Sequence, residues 1–198
     1  MKIDVRERGV SVIPQYATVP IAFDVTSVLD IEQDKDGQFA LKERRLDHPY
    51  VKNYDTIDGE GPRHWPRRFD ISNWGIFTAP LNGQHVGGAA VAFKTPGFMM
   101  LDQHDDIAVL WDIRVSPKPA GGELVPHSSA QPKIGAKDRG CRYLKIETQN
   151  INVAACRFYA AQGCELRAAN RHAYPEFPDE IQLIWYKTLG KEVKRSRD

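Results

Sequence analysis

The stretch Asp106–Val115 constrains this chain most. It reads Asp-Ile-Ala-Val-Leu-Trp-Asp-Ile-Arg-Val, apolar at odd and even positions alike. Side chains of a strand alternate between two faces. A strand apolar on both faces must be covered on both, so it lies at the centre of a sheet with layers packed on each side. Pro117, which has no backbone donor, ends it.

The flanking sequence supplies neighbours for that strand. Trp74–Ala79 is strand-like. Leu81-Asn82-Gly83-Gln84 is a hairpin turn, Asn-Gly supplying positive φ angles, and His85–Phe93 is the return strand. Its run Gly87-Gly88-Ala89-Ala90 predicts close backbone packing. Further strands are expected within residues 18–32 and over 37–45, joined by a turn at Asp34–Gly37, and at Arg142–Glu147 and Gln182–Lys187. Residues 58–70 carry Gly59, Gly61, Pro62 and Pro66, which fits a loop or a short helix. Asn152–Gln162 has helical spacing, with Val153, Ala154, Cys156, Phe158, Tyr159 and Ala160 available for an apolar face and Gly163 as the stop. This order describes a mixed α/β domain.

The 198 residues suffice for one domain. The expected division is an N-terminal extension at 1–17, a single domain over 18–188 and a charged tail at 189–198. A net charge of +1 gives no bulk attraction to nucleic acid or an anionic membrane. The start, Met-Lys-Ile-Asp-Val-Arg-Glu-Arg, lacks the apolar core of a secretion signal. The longest apolar run, Val86–Phe93, is far too short to span a membrane. Three cysteines, Cys141, Cys156 and Cys164, fit buried thiols of a cytoplasmic protein better than disulfides or metal ligands. His104-Asp105-Asp106 reads as a surface turn. Arg63-His64-Trp65-Pro66-Arg67-Arg68 mixes cations with an aromatic ring, but one such cluster in a neutral chain does not make a nucleic-acid site.

Two motifs carry a resemblance. Asp112-Ile113-Arg114-Val115-Ser116-Pro117 has the pattern acidic-aliphatic-x-Val-x-Pro. The run from Asn152 to Cys164 fits N-x-x-A-x-x-F-Y-x-x-x-G-F, with Cys164 in place of the last Phe. Both resemble the GNAT family of N-acetyltransferases. Glu147-Thr148-Gln149-Asn150 and Tyr50-Val51-Lys52-Asn53-Tyr54 resemble its streptothricin acetyltransferase branch. The resemblance spans about residues 20–188. It implies the GNAT acyl-CoA N-acyltransferase fold, an α/β (mixed α+β) arrangement with a central mixed, mostly antiparallel sheet flanked by helices. It also implies acetyl-CoA as cosubstrate, no metal, and a small-molecule amine or peptide as acceptor. A homodimer is an open option.

The chemistry is attack of a neutral amine on a thioester. The oxyanion needs a preorganised donor, the leaving thiolate needs a proton, and a base must take the ammonium proton. By resemblance, backbone N–H groups of Ile113, Arg114 and Val115 face the thioester after a bulge. Tyr159 protonates the thiolate, while Asn152 and Phe158 border the cofactor arm. Asp112 and Glu147 are the candidate bases. Plainer readings stand beside each of these. A Phe-Tyr pair on a helix is commonly core, Asn152 suits an N-cap, and Asp112 or Glu147 could simply pair with an arginine. Tyr174–Glu180 is either an acceptor-binding loop or a solvated one.

One segment departs from the family pattern. After Pro117 a glycine-rich loop should open a helix and hold the CoA pyrophosphate. Residues 118–136 instead contain Pro126 and Pro132, expected to break that helix and leave the segment irregular. Back-translated and read two bases out of frame, residues 119–136 permit R-G-R-G-V-G-S-A-L-F-R-A-A-E-D-W, a glycine loop followed by a helical pattern. The expectation is two compensating frame changes, which resequencing this stretch of the gene tests. If residues 118–136 are instead genuine, weak or absent acetyl-CoA binding follows, and the chain is a catalytically impaired GNAT-fold binding or regulatory protein.

Overall fold

The computed structural model describes residues 5–116 and 130–190. Its strands are β1 (Arg6–Arg8), β2 (Ala22–Gln33), β3 (Phe39–Asn53), β4 (Gly75–Leu81), β5 (Gln84–Ala92), β6 (Ile107–Val115), β7 (Tyr143–Gln149), β8 (Glu165–Asn170) and β9 (Gln182–Thr188). Its helices are the single turns α1 (Ile13–Tyr16) and α2 (Trp65–Arg68), with the longer α3 (Ala130–Asp138) and α4 (Val153–Ala161). Seven strands form one sheet in the order β1-β4-β5-β6-β7-β9-β8, and β2 and β3 form a separate antiparallel ribbon. Every pair in the sheet is antiparallel except β6–β7. The crossover that a parallel pair needs runs through residues 116–142 and includes α3.

The apolar strand is central, as its pattern requires. Ala108 and Leu110 pack on the α3/α4 side with Phe77, Leu144, Ile146 and Cys156. Ile107 and Val109 pack on the other side with Trp65, Trp74 and Phe98. Burying side chains of this size stabilises by about 1.5–3 kcal/mol each. The hairpin turn has φ of 51° at Asn82 and 78° at Gly83, the left-handed pair that Asn-Gly adopts readily. The small residues of β5 also have a physical cause. A Cβ on Gly88 would lie 2.4 Å from the Phe77 carbonyl oxygen and 2.6 Å from the Tyr16 ring.

Four elements differ from the sequence reading. The strand expected over 37–45 continues to Asn53, and Pro49 is tolerated because it falls where the ribbon's register shifts, between Val25↔Tyr50 and Ser27↔Arg45. Glu165–Asn170 and Arg6–Arg8 are edge strands of the sheet; both are short and lack an alternating apolar signal. The expected irregularity of 118–136 is corrected over its last part. Residues 130–138 are helical, and Pro132 falls in the first turn, where backbone N–H groups have no intrahelical acceptor. Residues 117–129 lie outside the described residues, and with them most of the segment for which a frame change is expected, as does nearly all of the tail. Among the described residues no helix is long and apolar enough to cross a membrane.

Candidate active site

The site begins where β6 leaves β7. The two pair only from Ile107↔Tyr143 to Leu110↔Ile146, although β6 runs to Val115 and β7 to Gln149. On its other edge β6 stays paired with β5 throughout, from Ala92↔Val109 to Gly87↔Val115. That ladder shifts between Ala90↔Asp112 and Val91↔Leu110, which leaves Trp111 as an extra, bulged residue. Beyond the bulge, the Ser116 N–H donates to the Val86 carbonyl at 2.8 Å. Antiparallel alternation then turns the backbone polar groups of Asp112 and Arg114 toward β5 and those of Ile113 and Val115 toward the gap. The β6–β7 gap is thus lined by N–H groups that no strand occupies.

A cavity of about 580 Å³ fills the gap. Asp112, Ile113, Arg114, Glu147, Asn152 and Tyr159 all line it. Val115 is 42% exposed beyond its rim. Phe158 packs against Tyr159, ring centroids 5.3 Å apart, and borders a smaller crevice with Ile113 and Leu110. The Asn152 side chain is the N-cap of α4, its Oδ1 accepting from the Ala155 N–H at 3.1 Å while the residue also borders the cavity.

The two candidate bases have different surroundings. Asp112 is held from two sides. The Tyr16 hydroxyl donates to its Oδ1 at 2.5 Å, and Arg114 donates from Nε at 3.0 Å. Arg114, two residues along on the same face, is 2% exposed and also reaches Asp55 at 2.8 Å and the Val19 carbonyl at 3.0 Å. Burial raises the Asp112 carboxyl against the opposing pull of Arg114. Glu147 is engaged instead by neutral side chains. Its Oε1 accepts from the Tyr174 hydroxyl at 2.5 Å, which in turn accepts from Gln149 Nε2 at 2.8 Å. Gln149 Oε1 accepts from the Tyr54 hydroxyl.

Tyr159 is buried, and that burial pushes its hydroxyl well above the ordinary tyrosine range, with Cys164 and Asp112 adding to the shift. It therefore keeps its proton at neutral pH. The far wall joins the ribbon to the loop before β9. Lys52 Nζ lies 2.5 Å from Glu180 and 3.5 Å from the centre of the Phe177 ring. Asn150 pins the ribbon there too, its carbonyl accepting from Leu29 N–H at 3.0 Å and its Oδ1 from Ile181 N–H at 2.8 Å. The sequence reading marked the segments that contain Lys52, Tyr54, Gln149, Tyr174 and Glu180 but gave these residues no individual roles. Their signal was polar or aromatic side chains at strand ends for Lys52, Tyr54 and Gln149, and in the loop before β9 for Tyr174 and Glu180. The Arg63–Arg68 cluster is turned to internal use: Trp65 is buried and Arg68 pairs with Glu60 at 2.7 Å.

No family model matches the chain. Streptothricin acetyltransferase A of Bacillus subtilis (strain 168) is 28% identical over 159 residues, 77% of this chain and 81% of that protein. The streptothricin acetyltransferase of Streptomyces lavendulae is 23% identical over 172 residues, 85% of this chain and 84% of that protein. A putative streptothricin acetyltransferase from Bacillus anthracis, solved in complex with acetyl coenzyme A, superposes with a TM-score of 0.74 at 21% identity, covering 94% of this chain and 99% of that one. The chain has the GNAT fold. A nourseothricin acetyltransferase, at TM-score 0.71 and 19% identity over 96% of this chain and 100% of that one, shares this GNAT architecture along its whole length. In sequence the chain resembles acyltransferases of the GNAT type, and among them the streptothricin branch.

Proposed function

We propose that this chain transfers the acetyl group of acetyl-CoA to a primary amine of a small molecule, with streptothricin-type antibiotics as the first acceptors to test. The observation that carries this reading is the parting of β6 from β7. It opens a cavity that collects unoccupied backbone donors, a protonated tyrosine and a carboxylate. The named activity of the streptothricin acetyltransferases supports the choice of acceptor.

The residues fit an acyl thioester at that gap. The Ile113 N–H, turned away from β5, is placed to hold negative charge developing on the acetyl oxygen. Glu147 takes the proton that the ammonium must lose before nitrogen bonds to the carbonyl carbon. As the carbon–sulfur bond breaks, Tyr159 gives its proton to the departing thiolate, and the proton lost from the new amide nitrogen restores it. Asp112 does not compete for the base role, because Tyr16 and Arg114 already engage it.

Thiol release from acetyl-CoA with nourseothricin as acceptor tests the proposal, with N-terminal peptides as a second acceptor panel. Release that requires both substrates is the expected result. A chain carrying the shifted-frame string in place of residues 119–136 is assayed beside the chain as it stands. No amine-dependent release from either version, and no acetyl-CoA binding by calorimetry, would overturn the reading.

A further inference from the structure

The geometry points to Tyr174, Gln149 and Tyr54 as a one-way hydrogen-bond chain that positions Glu147, presenting its second oxygen to the acceptor amine. This rests on the reading that Glu147 takes the amine's proton.

The direction of the chain follows from donor and acceptor capacity alone. A carboxylate only accepts, so the single proton of the Tyr174 hydroxyl must go to Glu147 Oε1, 2.5 Å away. With its proton committed, the Tyr174 oxygen accepts, and the group facing it at 2.8 Å must be the Gln149 amide nitrogen. That orientation aims Gln149 Oε1 at Tyr54, whose hydroxyl then donates. Every donor in the series points toward Glu147. Burial raises both Tyr54 and Tyr174 well above the ordinary tyrosine range, so both keep the protons the chain needs.

The chain also joins three separate elements at the cavity. Tyr54 follows the end of β3, Gln149 ends β7 beside Glu147, and Tyr174 lies in the loop between β8 and β9. All four residues line the cavity. Glu147 and Gln149 are two apart on one strand and so share a face, and Tyr174 bridges them. Glu147 Oε1 is thereby engaged, which leaves Oε2 as the oxygen to meet an ammonium. Tyr54 and Gln149 act through Tyr174, and all three are positioning residues.

The test uses the full chain with acetyl-CoA and nourseothricin, in Tyr174→Phe, Gln149→Glu and Tyr54→Phe variants, with Glu147→Gln as reference. Tyr174→Phe removes the donor. Gln149→Glu is nearly isosteric but acceptor-only, so it competes for the Tyr174 proton. Both are expected to lower kcat by roughly 10- to 100-fold, the scale of a misplaced catalytic group, with acceptor KM and acetyl-CoA affinity close to those of the parent. Tyr54→Phe, one link further away, is expected to cost less than either. If Tyr174→Phe and Gln149→Glu keep parental kcat while Glu147→Gln is inactive, the positioning chain is overturned and the base assignment stands. If their acetyl-CoA affinity falls in step with kcat, the chain is only a packing element and the proposal is overturned. If Glu147→Gln itself turns over normally, the base assignment falls and the chain's purpose with it.

Discussion

Asp112 and Glu147 stand on facing strands of one cleft, and the two surroundings assign them different work. On β6, Asp112 is closed in by Arg114 and Tyr16, with burial and ion pairing opposing each other. On β7, Glu147 accepts one tyrosine hydroxyl and borders the cavity. In the reaction we propose, the same carboxylate chemistry is a structural rivet on the first strand and the proton acceptor on the second. What separates them is the partner two residues along: an arginine after Asp112, a glutamine after Glu147.

The comparison can be broken most directly at Glu147. We expect Glu147→Gln to lower amine-dependent turnover by about 100- to 10,000-fold, the usual worth of a general base, with little change in thermal stability. Next in size is Arg114→Met. Removing the cation leaves Asp112 and Asp55 facing a buried gap without charge compensation, at a cost of about 3–5 kcal/mol in urea denaturation. Asp112→Asn should cost less, about 2 kcal/mol, because Arg114 keeps Asp55 and the Val19 carbonyl. Its turnover should stay well above that of Glu147→Gln; equal losses would erase the distinction between the two strands.

The smallest effect sharpens the contrast through Tyr16. Tyr16→Phe should cost about 1.5 kcal/mol, one hydrogen bond to a charged group. Burial raises folded Tyr16 well above its ordinary value of 10.0, with Asp112 next in effect. Unfolded Tyr16 ionises near that pH while the folded residue resists. The stability it contributes is therefore full below pH 10.0 and is lost as pH rises beyond it. Alkaline titration followed by circular dichroism should show the parent losing more stability than the Phe variant.

Much of the frame was legible in residues whose signals are local. The Asn-Gly turn, the helix closed by Asn152 and Gly163, and the doubly apolar β6 each depend on a few neighbouring side chains. So does the Asp112–Arg114 pair, since residues two apart on a strand share a face. What escaped was set by distance. Tyr174 meets Glu147 across 27 residues, Lys52 meets Glu180 across 128, and Tyr16 meets Asp112 across 96. No periodicity encodes such meetings. The edge strands β1 and β8 escaped for another reason. All of β1 is exposed, and in β8 Leu166 and Ala169 reach the core three residues apart across a bulge, so no simple alternation marks either strand.

The bulge at Trp111 has a further consequence. A β-strand counts in twos, and one supernumerary residue changes odd for even in everything downstream. Trp111 and Asp112, adjacent in sequence, both face the side of Trp74 and Tyr16. Ile113 falls to the side of Phe158 and Leu110. A regular strand that kept Trp111 but lost the bulge would have an unbroken alternation and inverted parity beyond it. Arginine and aspartate would be driven toward the α4 side and isoleucine into the polar cluster. The chemistry of the cleft thus hangs on one break in alternation: two consecutive residues, Trp111 and Asp112, turned to the same face.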